Sequence, residues 1–192
     1  MNKGLNQYVT DFFNSFRELS NNPESLTSRT MVKEAGEALV KDFKRVDTQL
    51  TDVQKDVDER VRNESDEVNK MTREIASLNQ KIAEVEVQGI PANDQRDSRD
   101  LLLKKLNEKI DITYAQGDNG IVTVSTAGNA ILVTGFESHD LKVQENPDTQ
   151  RLDVYYVPNG STPPFRITDR IRGGTMGGAL SVRDQVIPDF KD

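Results

Sequence analysis

The feature that most constrains this chain is a run of apolar residues at heptad spacing, within a segment from residue 28 to residue 87. From Leu39 through Phe43, Val46, Leu50 and Val53 to Val57, the steps are 4, 3, 4, 3 and 4 residues. From Val68 through Met71, Ile75, Leu78 and Ile82 to Val85, they are 3, 4, 3, 4 and 3. Val57, Val61, Glu64 and Val68 join the two runs with adjoining steps of four at Val57. Such a stutter locally unwinds a supercoil. Alternating threes and fours put all these residues on one stripe of an α-helix. A single helix is therefore predicted over 28–87. At ~1.5 Å of rise per residue, about 60 residues span ~90 Å. The stripe is narrow, and Lys41, Asp42, Lys44, Arg45 and Asp47 between its members mix both signs. They read as a solvated face, so the helix is expected to pair with one or two others and leave the rest in water.

Composition agrees with that shape. Of 192 residues only 34% are AVILMFWYC, and 30% are charged. A comparable set that also counts glycine is usually ~45–50%. An elongated, surface-rich molecule is expected. With no cysteine and one histidine, a disulfide scaffold, a cysteine-ligated metal and a thiol nucleophile are excluded. The net charge of −7 argues against a nucleic-acid partner, which asks for a basic stripe. No run approaches the ~18 apolar residues of a membrane helix, and 1–19 lacks a signal-peptide core.

Two further helices flank the long one. Leu5, Tyr8, Val9, Phe12, Phe13, Phe16 and Leu19 define an apolar face over 5–19, expected to pack firmly on a neighbour. Ser20-Asn21-Asn22-Pro23 ends that helix. Gln88-Gly89-Ile90-Pro91 stops the long one, and Leu102, Leu103, Leu106 and Ile110 mark a helix over 94–109. Strands follow at 110–114, 121–124, 130–133, 141–143, 151–157 and 165–168, with a hairpin turn at Gly117-Asp118-Asn119-Gly120. They suggest a small antiparallel sheet, barrel or half-barrel. Gly173–Gly178 reads as a hinge or tight crossing, with a helix starting at Ala179. The expected fold is α+β: an elongated helical rod or bundle with a small antiparallel β-domain. Helical residues 1–109 are joined by 179–192, and the β-domain takes 110–172.

No residue pattern supports catalysis, a cofactor or a metal. Ala179-Leu180-Ser181 lacks the Lys-Ser/Thr of a phosphate loop. Asp118-Asn119-Gly120 lacks the glutamate that closes a calcium loop, because that position is Asn129. His139, between Ser138 and Asp140, reads as a surface histidine in a connecting loop.

Four segments in order resemble the flagellar hook-associated protein 1 family, the hook–filament junction protein. They are Asp11-Phe12-Phe13-Asn14-Ser15-Phe16-Arg17-Glu18-Leu19-Ser20-Asn21-Asn22-Pro23 with Arg29 and Phe43 beyond it; Ile75-Ala76-x-Leu78-Asn79-x-x-Ile82-Ala83; Asp97-Ser98-Arg99-Asp100-x-Leu102-Leu103-x-x-Leu106; and Gly173-Gly174-x-x-Gly177-Gly178-x-Leu180-x-x-Arg183-Asp184. Ser98 stands where the family usually has Gln, and Met176 where it has Leu.

The resemblance implies a structural, self-associating protein in a ring between hook and filament. Its partners would be its own copies, the hook protein and a second junction protein. It implies an extracellular place in the flagellum, reached through the flagellar secretion apparatus without a cleaved signal. It also implies a core fragment lacking the family's terminal polymerisation segments, and an export chaperone bound to the absent C-terminus. The isolated chain is then expected to be monomeric. Two other readings stay open: another axial protein, hook-like or flagellin-like, or a non-flagellar coiled-coil adaptor with a β binding module. A charge in the seam should destabilise the helix: Leu50→Asp and Ile75→Asp are each expected to cost several kcal/mol, read as a lowered melting temperature.

Overall fold

The computed structural model describes residues 4–190, apart from 118, 150 and 161. Asp118 of the expected hairpin turn lies outside the described residues, as do the outer ends of the 1–109 and 179–192 segments. Three helices lead the chain: α1 (Leu5–Asn21), α2 (Leu26–Glu86) and α3 (Asn93–Lys109). The Ser25 hydroxyl accepts the Ser28 N–H at 3.2 Å, the N-cap that starts α2. Gly89 at φ +76 takes the chain out of it.

Among the described residues seven strands follow: β1 (Ile112–Gln116), β2 (Val122–Thr126), β3 (Ala130–Thr134), β4 (Glu137–Ser138), β5 (Asp140–Glu145), β6 (Leu152–Val157) and β7 (Phe165–Arg166). They form two antiparallel sheets, β1-β2-β3-β4 and β5-β6-β7, each in chain order. β4 escapes the sequence reading because two residues show no alternation. A 3₁₀ turn (Thr168–Arg170), α4 (Gly174–Ser181), a π-helical stretch (Val182–Val186) and α5 (Ile187–Asp189) complete the chain. Pro188 in α5 has no N–H to continue the α ladder, and the wider π turn lies just before it.

The chain divides into two compact units inside α2, between Gln54 and Lys55, rather than at the helix-to-strand transition near 110. The second unit shows why. Its single apolar core mixes Val68 and Ile75 of α2 and Leu106 of α3 with Val124, Leu132 and Val154 of the strands. Helix and strand share one core.

Within this unit α2 buries more than one stripe. Val61, Val68, Ile75, Leu78 and Ile82 are buried, and so are Ser65, Asn69, Thr72, Ala76 and Asn79 beside them. The second stripe also steps by 4, 3, 4 and 3, so the expected narrow seam is only half of the buried face here. His139 corrects a second expectation. It lies between β4 and β5, is buried, donates its backbone N–H to Leu132 O at 2.9 Å, and sits 5.8 Å from the Tyr156 ring.

The first unit is the helical pair α1 and the early part of α2. Arg29 holds their turn, donating through Nε and Nη2 to Pro23 O at 3.2 and 2.9 Å. Phe12 meets the Phe16 ring edge-on at 5.0 Å, and its ring lies 3.4 Å from where a Cβ on Gly36 would be. Among the described residues of this unit, only Ser15, Ser28 and Asp42 are buried. Asp42, expected on the solvated face, pairs with Arg45 at 2.7 Å. Phe13 and Phe16, expected to pack firmly, are 62% and 47% exposed.

Gly173–Gly178 makes a tight crossing. Gly174 opens α4 at φ +70, and a Cβ there would fall 2.5 Å from the Lys109 carbonyl. A Cβ on Gly177 would fall 2.5 Å from the Arg172 carbonyl carbon. These two residues let α4 cross tightly over neighbouring backbone. Gly178 differs: it is helical and meets nothing within 4 Å. Gly174→Ala should cost about 2–4 kcal/mol through strain and overlap. Gly178→Ala should instead stabilise by roughly 0.5–1 kcal/mol. Urea titration of the two variants reads both signs. Ile75 is fully buried and Leu50 only half-buried, so of the two seam charges Ile75→Asp takes the larger loss.

Candidate functional site: a buried polar frame and an exposed helical face

Two asparagines on α2 reach the strands by the same geometry. Asn69 Nδ2 donates to Leu141 O at 2.8 Å while its Oδ1 accepts Leu141 N–H at 2.7 Å. Asn79 Nδ2 donates to Val122 O and to Gly135 O, both at 2.8 Å, and its Oδ1 accepts Val122 N–H at 3.2 Å. A side-chain amide carries the same donor and acceptor as a peptide unit, so each asparagine binds strand backbone as another strand would. They are ten residues apart on α2, or ~15 Å of helix. One engages β5 and the other β2, so α2 grips both sheets.

Arg99 of α3 extends the frame. It is 1% exposed, and its Nη1 donates to Gly120 O at 2.7 Å and to Asn79 Oδ1 at 3.2 Å. Its Nε lies 3.8 Å from exposed Asp100. Burial pulls the Arg99 guanidinium below its usual basicity. Beside it, Arg96 grips Glu86 through two bonds of 2.7 and 2.8 Å. Lys109 pairs with Glu67 at 2.6 Å and with buried Glu64 at 3.1 Å, and these two carboxylates raise its pKa.

A second buried arginine lies beyond the sheets. Arg183, on the π-helical stretch, donates to Leu152 O, to Asp58 of α2 at 2.8 Å, and to both Asp184 oxygens at 2.8 Å. Burial opposes its charge, but Asp184 and Asp58 outweigh that and raise its pKa. Nearby, buried Asp153 accepts from Thr168 at 2.9 Å and from Asn146 and Arg166, each at 2.8 Å. Burial alone would push the Asp153 pKa up; the Arg166, Asn146 and Thr168 hydrogen bonds prevail and hold it below the ordinary aspartate value.

The motif residues named from sequence thus separate by role. Arg99 and Arg183 are buried centres of two different networks, and Asp184 serves the second. Asp97 and Asp100 lie exposed on α3. Gly173 donates its N–H to Asp111 Oδ1 at 3.2 Å. Asn69, Asp58, Asp153 and Thr168 were not singled out. On α2 the signal is weak, a polar residue at helical spacing beside an apolar stripe, and Asp153 on β6 and Thr168 in the 3₁₀ turn carry no such pattern. The seam residues of the first unit stay more open, with Leu39, Val46 and Leu50 half-buried, Phe43 51% exposed and Val53 46% exposed. A groove of about 700 Å³ there is lined by Tyr8, Ser15, Met31 and Ala35 among others.

The chemistry of the frame is that of a fastening. Its charged groups face one another, and among the described residues no cluster of His, Asp and Glu is set to hold a metal ion. No described helix is long and apolar enough to cross a membrane. Asn79→Ala strands four polar partners and should cost on the order of 4 kcal/mol, against about 2 kcal/mol for Asn69→Ala, read from urea midpoints. Asp153 has a depressed folded pKa, so its stabilisation is present above the unfolded pKa and is lost as the pH falls below about 4. Asp153→Asn should flatten that acid limb while lowering stability at neutral pH.

The family model described as the flagellar hook-associated protein FlgK helical domain matches residues 1–192. Flagellar hook-associated protein 1 of Escherichia coli K12 is 31% identical over 181 residues, which is 92% of this chain and 33% of that protein. The Bacillus subtilis 168 protein of the same name is 32% identical over 130 residues, 68% of this chain and 26% of that one. The solved flagellar hook junction protein FlgK from Burkholderia pseudomallei aligns with a TM-score of 0.85 at 24% identity, covering 95% of this chain and 33% of that one. That likeness speaks for the fold: a long helix with small antiparallel sheets. The chain spans about a third of the length of the first of these relatives.

Proposed function

The chain belongs to the flagellar hook-associated protein FlgK helical-domain family, and on that premise we propose that it is a structural part of the hook–filament junction of a bacterial flagellum. Its partners in this reading are copies of itself, the hook protein and a second junction protein. Its place is outside the cell, reached through the flagellar secretion apparatus without a cleaved signal. It carries no catalysis and needs no cofactor. An export chaperone assists that export, and the chain by itself is monomeric in solution.

The observation that favours an assembly role is the state of the first unit. None of its described apolar side chains is buried, and Phe13, Phe16, Val40 and Phe43 are each about half or more exposed. Amphipathic helices become stable by burying their apolar face against another element. In this reading Leu39, Phe43, Val46, Leu50 and Val53 are covered in the assembled flagellum. Helical residues 1–109, joined by 179–192, carry the contacts, and 110–172 braces them. The polar networks around Arg99, Asp100, Arg183 and Asp184 hold that brace to α2 and α3.

The test uses the full-length gene in a strain that lacks its junction protein. Phe13→Ser and Phe43→Ser together should leave export intact but shed filaments, with motility lost. Attachment equal to the unaltered gene would overturn the assignment of this face. Failure of the unaltered full-length gene to restore filaments would overturn the junction role itself. Sedimentation of the isolated chain should give a monomer, and a stable ring would contradict that part.

A further inference from the structure

The sequence has two Asn-Gly steps, Asn119-Gly120 and Asn159-Gly160. Such a step is labile in water, because glycine has no Cβ to shield its nitrogen. The glycine nitrogen attacks the asparagine Cγ, the Cγ–Nδ2 bond breaks, and the glycine proton reaches the departing ammonia through solvent. Water then opens the cyclic imide at either carbonyl, leaving aspartate or isoaspartate. No oxidant or enzyme is needed.

The fold treats the two steps differently. Gly120 N–H, the nucleophile of the first, donates to Gly117 O at 2.9 Å. Asn119 Oδ1 accepts Ile121 N–H at 3.2 Å, which holds its Cγ in an Asx turn. Gly120 O is gripped by Arg99, and Arg96 lies against Gly120 itself. Attack would have to break this arrangement. Asn159 and Gly160 are both exposed, and Gly160, at φ +88, has open space around it. Among the described residues Gly160 N–H makes no hydrogen bond to a backbone carbonyl. The Asn159 side chain makes one exposed hydrogen bond, from Nδ2 to Glu137 Oε2 at 3.2 Å, too weak in water to lock it.

We infer that Asn159 is a site of spontaneous deamidation and that Asn119 is shielded from it. The change has a structural consequence. Asn159 follows β6 and Glu137 lies in β4, so their exposed hydrogen bond is a weak tie between the two sheets. Deamidation replaces its donor with a carboxylate facing another carboxylate. The tie becomes a repulsion, at the shortest strand of the four-stranded sheet, and the chain gains one negative charge.

The experiment is incubation of the folded chain at mildly alkaline pH, with peptide mass spectrometry at intervals. The peptide holding Asn159 should gain the mass of NH2 replaced by OH and split into aspartate and isoaspartate forms. The peptide holding Asn119 should lag roughly tenfold, the rate equivalent of one backbone hydrogen bond that must first be given up. In concentrated urea the two rates should converge. Equal rates in the folded chain, or a tenfold difference that persists in urea, would overturn the inference. For the consequence, Asn159→Asp should speed hydrogen exchange in β4, and adding Glu137→Gln should restore protection. Exchange unchanged by Asn159→Asp would show that this contact does not hold the two sheets together.

Discussion

Asn79 is the point on which the second unit turns. One side chain holds strand β2 by both its backbone groups, takes in the carbonyl at Gly135, and orients the buried Arg99 of α3. A helix and a sheet normally meet through apolar packing alone, which fixes distance better than register. Here a directional bond sets which residue of α2 faces which residue of β2. Asn69 repeats the device on β5. With two such points on one rigid helix, both sheets are set in register by α2, and the apolar core fills a space already defined.

The buried charges follow the same logic. Arg99, Arg183 and Asp153 are each held by two or more partners from other elements. A buried charge stripped of its partners is severely destabilising, so each one penalises any arrangement in which its elements are misplaced. That role differs from adding stability, for which an apolar side chain of equal size would often serve as well. In a chain with a modest apolar fraction, specificity of arrangement is carried by polar contacts to an unusual degree.

What the sequence disclosed follows from the range of each signal. The three helices were legible because heptad steps and the Pro23 and Gly89 breaks act within a turn or two of the chain. The family motifs were legible as a pattern, while their physical reasons were not. Gly174 and Gly177 are needed for close backbone approach, and a short glycine run reads just as well as a hinge. The second stripe of α2 was missed because Ser65, Asn69, Thr72 and Asn79 are ordinary residues for a solvated face. The strand partners of Asn69 and Asn79 lie 43 to 72 residues away, beyond any local pattern. His139 misled for a related reason: its polar neighbours suggest a loop, and only the passage between two sheets buries it.

The grip of Asn69 on Leu141 has a further effect. β5 lies at the margin of the three-stranded sheet, with β6 on one side. The N–H and C=O of Leu141 that face away from β6 are the groups a foreign strand would seek, and Asn69 occupies both. An open margin is a template for runaway strand pairing between identical chains. A protein proposed to work packed beside its own copies gains from closing that route, because growth is then left to the contacts that order the assembly. The same amide that sets the register of α2 on β5 thus also closes the edge of the sheet at Leu141.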